Sequence, residues 1–337
     1  MKNILVTGGA GFIGSHTVLK LLSAGHSVVI FDNLSNSSPA AVDRVARLAG
    51  VTVPFVQGDI RDREAVRKCL AEHAIQSVIH FAGLKAVGES ESEPLKYYDN
   101  NVNGSVVLFE EMENAGVRSI VFSSSATVYG DPGYPQYRED TPLAPVNVYG
   151  RTKRIIEDIL RDLHRANPAW RMALLRYFNP VGAHSSGQIG EDPQGVPNNL
   201  MPYLAQVASG VRPELQVFGG DYPTPDGTGM RDYIHVEDLA DGHLAALKYI
   251  ESESAQDILT LNLGRGQPYS VLEMVRAFEA ATGKAIPHRI APRRAGDLAQ
   301  FYADPSLAEK TLGWKAELGI ERMCMDTWRW QKSQATA

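Results

Sequence analysis

The chain has only two cysteines, Cys69 and Cys324. Two thiols so far apart build no disulfide framework and lack metal-ligand spacing, so both read as packed thiols of a reducing compartment. Basic clusters are missing too. With 33 basic residues against 39 acidic ones and a net charge of −6, a nucleic-acid surface is excluded, though a local anion pocket is not. No apolar run reaches the ~20 residues of a membrane span. The N-terminus carries no signal-peptide pattern and runs directly into a strand. There is no Gly-x-Ser-x-Gly, which leaves a serine-hydrolase reading of Ser123–Ser125 without support. No Cys/His/Asp grouping suggests a metal, and His80 and His235, beside apolar residues, read as core or supporting groups. The expectation is a cytoplasmic protein with no nucleic-acid partner, no membrane and no metal.

What is present points to an enzyme of the α/β class. The 337 residues, 44% hydrophobic and 21% charged, suffice for a large buried core in one or two domains. Strands are expected at Asn3–Val6, Val28–Phe31, Val53–Val56, Ser77–Phe81, Ser119–Ser123 and Met172–Arg176. Helices are expected at Gly11–Ala24, Asp62–His73, Pro94–Ala115 and Tyr149–Arg165. Such alternation predicts a Rossmann-type, doubly wound parallel sheet covered on both faces. From Asn179 to Arg231 glycine, proline, asparagine and aspartate become frequent, as in a smaller, loop-rich domain that shapes a pocket. Helix Val236–Ile250 and strand Leu259–Leu263 are expected to rejoin the sheet. The first domain is therefore drawn as 1–180 plus roughly 232–264, and the C-terminal substrate domain as 181–231 plus 265–337.

Thr7-Gly8-Gly9-Ala10-Gly11-Phe12-Ile13-Gly14 follows the first strand and opens the first helix. Gly8 suits a tight turn, Gly11 a close backbone approach to a pyrophosphate, and Gly14 close helix–strand packing; the helix N-terminus offers free N–H groups to the anion. Asp32 ends the second strand, 18 residues after Gly14 and near the ~20 expected of a ribose-binding acid. Its charge would repel a 2′-phosphate, which favours NAD over NADP.

Tyr149-Gly150-Arg151-Thr152-Lys153 spans one helical turn, so the phenol and the ammonium share a face. A phenol of pKa ~10 is a poor base at neutral pH, and a cation beside it favours the phenolate. Ile155, Ile156, Ile159, Leu160 and Leu163 supply the buried face of that helix, which sets the pair at its edge. Ser123-Ser124-Ser125-Ala126-Thr127 ends the fifth strand, where ligands sit in open sheets. A hydroxyl there can hold a substrate alcohol while Tyr149 takes its proton.

Glycine loop, strand-end serine and Tyr-x-x-x-Lys together resemble the extended short-chain dehydrogenase/reductase family. The blocks His80–Ser90, Ser123–Gly130, Leu175–Ala183, Asn198–Tyr203 and Gly227–Val236 are similar to its UDP-hexose 4-epimerase branch, and the likeness runs past Arg294. The resemblance implies reversible epimerisation at C4 of a UDP-sugar through a 4-keto intermediate, with tightly bound NAD. Tyr149, Lys153 and Ser125 would be the catalytic set. Around NAD it implies Gly8, Gly11, Phe12, Ile13, Gly14, Asp32, Asn33, Asp59, Ile60, Phe81, Ala82, Gly83, Lys85, Asn100, Ser125, Tyr149, Lys153 and Phe178. For the UDP-sugar it implies Ser125, Tyr149, Asn179, Asn199, Leu200, Val217, Phe218, Arg231, Tyr233, Arg294 and Asp297. Phe301 would border the sugar 2-substituent and disfavour N-acetyl sugars. A homodimer packed through Pro94–Ala115 and Tyr149–Arg165 is also implied. A dehydratase of the same family would carry an Asp-Glu pair where Ala126 and Thr127 stand. A silent NAD-binding regulator would not need Ser125, Tyr149 and Lys153 together. Val146-Asn147-Val148 departs from the usual Ser-Pro lead-in to the tyrosine.

Overall fold

Parallel strands buried on both faces dominate this chain, as the runs of β-branched residues dictate. The structure is a computed structural model that describes residues 2–193, 195–252, 258–294 and 296–335. One sheet holds seven strands in the spatial order Leu259–Leu263, Arg171–Tyr177, Ser119–Ser125, Ser77–His80, Asn3–Thr7, Ser27–Asp32, Phe55–Gln57. All of its pairings are parallel. Successive side chains point to opposite faces, and both sets are buried. Ile4, Val6, Val28 and Ile30 pack against Val18 and Leu21 of helix Phe12–Ser23 and Leu239 and Ala246 of helix Val236–Ile250. Leu5, Val29 and Phe31 face Leu70, Leu108, Met112, Ile156 and Leu160 on the other side. Each large apolar side chain so buried contributes about 1.5–3 kcal/mol. The Rossmann-type sheet expected from the sequence is the one observed.

The strand order reverses between Asn3–Thr7 and Ser77–His80, because the chain first builds outward to one side and then crosses to the other. Thr7 pairs level with both Phe31 and His80, and Ser125 with Tyr177. The carboxyl ends of these strands therefore open into one crevice, the ligand position of such sheets.

A second sheet is assembled from short, distant pieces: Pro268–Ser270, Met230–His235, Gln300–Ala303 and Gln136–Tyr137, with Asn179–Val181 also paired to Met230–His235. Leu215–Phe218 pairs with His288–Ala291 beside it. Helices Leu200–Ala208, Val271–Thr282 and Ile320–Ala335 cover a separate apolar cluster that includes Met201, Leu204, Met274, Phe278 and Met323. The boundary drawn at residue 232 falls inside Met230–His235, all of which pairs within the smaller sheet. We place the return to the large sheet at helix Val236–Ile250 instead.

Two expectations need correction. Pro94–Ala115 is not one helix: Pro94–Tyr97 is followed by a wide π-turn, Tyr98–Asn103, before helix Gly104–Asn114. At Gly104 a Cβ would stand 2.7 Å from the Ile60 side chain, so the chain passes too close there for a larger residue. The helix Pro39–Ala49 went unrecognised, although Ser38 caps it, proline begins it and Gly50, in the left-handed region, ends it.

Candidate active site

The glycine loop lies at the reversal point of the sheet. Gly8 has φ +69°, and a Cβ there would stand 2.7 Å from the Ala82 nitrogen. At Gly14 a Cβ would stand 2.2 Å from the Gly8 carbonyl oxygen, so the first helix can sit against the loop only without a side chain. Gly11 begins that helix with no side-chain cap, which leaves the N–H groups of its first turn, at Phe12 and Ile13, for an anion. Asp32 is held by bonds from the Ala10 and Leu34 N–H groups at 3.0 and 2.9 Å and from the Ser37 hydroxyl at 2.9 Å. Its carboxylate is thus fixed at the end of the second strand beside the loop. Asn33 donates to Asp59 at 3.0 Å, and Arg61 beside Asp59 holds that carboxyl well below the usual range. Phe81, Ala82 and Gly83 form the neighbouring strand end; Phe81 and Ala82 N–H both bond the Thr7 carbonyl. A pocket with bare backbone, free N–H groups and a fixed acid fits a dinucleotide.

The three serines that end the fifth strand have separate tasks. Ser123 accepts the Lys153 ammonium on its carbonyl at 2.7 Å, and its hydroxyl bonds the Tyr177 hydroxyl. Ser124, on the opposite face, donates to buried Glu157 at 2.6 Å; Glu157 in turn pairs bidentately with buried Arg176. Ser125 Oγ receives both the N–H and the hydroxyl of Thr127, at 3.3 and 3.0 Å. Those two donors leave the Ser125 proton free to point toward Tyr149. Thr127 was read from the sequence only as the absence of a carboxylate; here its hydroxyl fixes Ser125.

Helix Val148–Ala166 starts correctly because Asn147, the unusual lead-in residue, accepts the Gly150 N–H at 2.7 Å. The Val148 and Tyr149 N–H groups are bonded by Glu91 and Ser90. Lys153 is buried, and its Nζ stands 5.9 Å from the Tyr149 ring centre. The sequence reading needs one revision here. Burial pushes the Tyr149 phenol up to about 12, with the Ser125 bond working against it. Burial also pushes Lys153 down to about 7, opposed by Glu157. The protein alone therefore disfavours both charges, and the pair is not a ready-made phenolate.

Asn101 is a residue that sequence reasoning missed. The π-turn aims it at the loop after His80, where it accepts the Leu84 N–H at 2.8 Å and donates to the Leu84 carbonyl and the Thr152 hydroxyl at 3.0 and 3.1 Å. Thr152 is adjacent to Lys153, so this amide ties the strand-end loop to the Tyr–Lys helix. Asn100 bonds Asn101 rather than the loop. Wide turns of this kind concentrate at functional sites, and the stretch Asp99-Asn100-Asn101 inside a helical pattern was the available signal.

The smaller sheet and its neighbouring segments gather several of the remaining residues. Asp297 bonds Arg294 at 2.8 Å and stands 3.6 Å from Arg231, so one carboxylate gathers two guanidinium groups from distant segments. Arg294 lies over the Phe218 ring at 5.0 Å, and Val217 beside it is buried. Arg231 also bonds the Leu298 carbonyl, and Tyr233, two residues on, is buried. Asn179 pairs level with Tyr233. Asn199 and Leu200 form the start of helix Leu200–Ala208, which has no side-chain cap. Phe178 and Phe301 pack at 4.9 Å, and Phe301 meets Tyr137 at 4.5 Å. Lys85 pairs with Glu191 at 3.2 Å.

His235, Glu237 and Asp326 are the one grouping among the described residues with metal-like spacing. His235 Nδ1 accepts the Glu237 N–H at 3.1 Å, which leaves Nε2 facing Asp326 at 3.4 Å. Arg322 and Arg329 engage both Asp326 oxygens. These ion pairs lie within the last helix, and the His235–Asp326 contact at 3.4 Å joins that helix to the small sheet.

Sequence comparisons agree with this geometry. Residues 4–264 match the model of the NAD dependent epimerase/dehydratase family. The chain is 62% identical over 331 residues to a UDP-glucose 4-epimerase of Neisseria meningitidis, covering 98% of this chain and 97% of that one. It is 59% identical to the Bacillus subtilis UDP-glucose 4-epimerase, covering 98% and 97%. A UDP-glucose 4-epimerase structure from Stenotrophomonas maltophila, with bound NAD and formylated UDP-arabinopyranose, superposes with a TM-score of 0.97 at 52% identity, covering 100% and 99%. One from Bifidobacterium longum, in complex with NAD+ and UDP, gives 0.95 at 52% identity, covering 99% of each chain. With a glycine loop at the sheet reversal, a Tyr–Lys helix against the fifth strand, and this match over most of its length, the chain belongs to the NAD dependent epimerase/dehydratase family.

Proposed function

We propose that this protein is an NAD-dependent isomerase that interconverts UDP-galactose and UDP-glucose, inverting C4 of the hexose. The observation that carries the reading is that Ser125 and the Tyr149–Lys153 helix stand together at the end of the fifth strand of the sheet that bears the glycine loop, with Lys153 bonded to Ser123. NAD, when bound, supplies a hydride acceptor for C4 and a positive charge beside the phenol. In our reading Gly8, Gly11, Phe12, Ile13 and Gly14 take its pyrophosphate. Asp32 and Asn33 take the adenosine ribose, with Asp59 and Ile60 beyond, while Phe81, Ala82, Gly83, Lys85, Asn100 and Phe178 line the rest.

Tyr149 is the group that removes and returns the proton of the sugar 4-hydroxyl. A phenol held near 12 by burial needs positive charge to act near pH 7. Protonated Lys153 is one source, since a cation within ~4–6 Å favours the phenolate. Ser125, its oxygen already saturated by Thr127, directs its proton either to Tyr149 or to the substrate oxygen. Arg231 and Arg294 hold the diphosphate through charge-assisted bonds, exchanging Asp297 for phosphate oxygens. Asn179, Asn199, Leu200, Val217, Phe218 and Tyr233 complete the nucleotide side. The sugar, anchored only through its nucleotide, is then free to present either face of C4. Ala126 and Thr127 provide no carboxylate for elimination of water, which disfavours the dehydratase reaction.

The test is incubation of purified protein with UDP-galactose and no added cofactor. We expect UDP-glucose to appear and NAD to be released on denaturation. Net formation of NADH, with a stoichiometric demand for NAD, would instead identify a dehydrogenase. Tyr149→Phe is expected to lower turnover at least ~10³-fold, the upper part of the range for a general base, while NAD stays bound. Activity retained in that variant would remove Tyr149 from its role. We further read the protein as a cytoplasmic homodimer. No helix among the described residues is long and apolar enough to cross a membrane, and Leu95, on the segment expected at the dimer contact, is 82% exposed. Sedimentation at micromolar concentration checks the dimer.

A further inference from the structure

Glu191 has no part in the chemistry just described, yet it lies between both ligand regions. A single oxygen of its carboxylate, Oε1, accepts the Lys85 ammonium at 3.2 Å and the Asn199 amide at 2.8 Å. Lys85 follows the strand Ser77–His80 of the large sheet, on the NAD side. Asn199 immediately precedes helix Leu200–Ala208, on the UDP-sugar side. An asparagine at a helix start ordinarily turns back to accept an N–H of the first turn. Asn199 makes no such bond, and its amide is committed to Glu191 instead.

The backbone that carries Glu191 is fixed independently. Its carbonyl accepts the Trp330 indole N–H at 2.9 Å, and a Cβ at neighbouring Gly190 would stand 2.5 Å from the Trp330 ring. Gly190 also bridges to Ala183, and the Gly187 carbonyl is bonded by Ser333 of the same C-terminal helix. The Glu191 side chain is mostly covered, at 12% exposure, whereas Lys85 is half-exposed at 51%. An ion pair with one exposed partner adds little to stability. Its weight lies in geometry, because displacement of Lys85 or of Asn199 changes the bond left to the other.

We infer that Glu191 is a positioning residue that couples the cofactor site to the substrate site. Through it, a UDP group settling on the helix start at Asn199 holds Lys85 against NAD, and bound NAD orders Asn199 for UDP. For an isomerase that must not lose its cofactor between the two hydride transfers, such coupling keeps NAD in place while the pocket is filled. The inference rests on the placement of NAD and UDP-sugar proposed above.

The experiment uses the protein with its NAD and follows NAD release after dilution, with and without saturating UDP as a non-reacting probe. In the wild type UDP is expected to slow release by ~5-fold or more, the lower end of ordinary site-to-site coupling. In Glu191→Ala that ratio is expected to fall to near 1. Glu191→Gln keeps an acceptor for Asn199 and loses the charge for Lys85, so it should give an intermediate ratio; being isosteric, it also decides the matter should the alanine variant not fold. By reciprocity the NAD-dependent gain in UDP affinity must fall by the same factor. The readout is a ratio, so a merely structural defect that sped NAD loss equally in both conditions would leave it unchanged and overturn the inference. So would a wild type that binds both ligands without any effect of one on the other. A protein that carries no NAD or binds no UDP would instead sink the functional reading itself.

Discussion

The two halves of the crevice are built in opposite ways. On the cofactor side the determinants are contiguous: a strand, a glycine loop and a helix within residues 3–23, with Asp32 at the end of the next strand. On the proposed substrate side they come one or two at a time from residues 179, 199, 217, 231, 294 and 301, on strands of three to six residues or on loops. On the proposed assignment the first half binds with backbone, which tolerates almost no side chain at Gly8 and Gly14. The second binds with side chains, which can be exchanged. A close-fitting cofactor grip and an adjustable substrate grip would follow from that proposed division of labour.

Substitutions can break this contrast or sharpen it. Lys153→Met, at the seam of the halves, should have the largest effect, ~10²–10⁴ in turnover at neutral pH, the usual range for a proton-transfer group. Its sign with pH is definite. Removing a cation raises the phenol's pKa, so the acidic limb of the rate profile should move toward higher pH and activity should recover partly on alkalinisation. An unshifted limb would dissociate Lys153 from Tyr149. Gly14→Ala should come next. The new methyl would meet the Gly8 carbonyl at 2.2 Å, and overpacking of ~1–3 kcal/mol should weaken NAD retention by ~10–100-fold, measured as NAD content after gel filtration. Full NAD content would show that the loop yields more readily than its geometry implies.

Arg231→Ala should act on the other half alone, with KM for UDP-galactose up by ~10–100-fold for the loss of one charged hydrogen-bonding group of ~1.5–3 kcal/mol, and NAD content unchanged. Loss of NAD in that variant would contradict the division of the crevice. The smallest change is expected from Phe301→Ala. Phe301 packs on Phe178 and Tyr137, so its removal enlarges one wall. A gain of ~10-fold in relative use of UDP-N-acetylgalactosamine would fit the ~1–3 kcal/mol typical of an apolar pocket contact. Comparable use of that sugar by the wild type would refute the assignment of Phe301.

The same contrast explains how far the sequence could be read. The large sheet announces itself through periodic apolar runs that are local in the chain, so its strands are placed to within a few residues, although the flanking helix Pro39–Ala49 was missed. The small sheet escapes, because strands such as Gln136–Tyr137 and Pro268–Ser270 are too short to show a period and pair with distant residues, Tyr302–Ala303 for the first and Met230–Asp232 for the second. The π-turn at Tyr98–Asn103 is invisible to a 3.6-residue pattern and hides the role of Asn101. Glu191 has no motif at all. Its significance exists only once Lys85 and Asn199 are brought to the same oxygen. The charge state of Tyr149 and Lys153 was misjudged for a related reason: spacing places two groups on one face, but burial sets their pKa.

The Lys153 ammonium is fastened to the carbonyl of Ser123, a main-chain atom. Genetic drift cannot delete a peptide oxygen, because every residue type at position 123 presents the same one. The acceptor survives any substitution at position 123 that leaves the fifth strand in register with its neighbour at Arg171–Tyr177. Heritable loss of this acceptor therefore requires a slipped strand rather than a changed letter at position 123. The Tyr–Lys pair is in this sense held in place by the fold as well as by its own sequence.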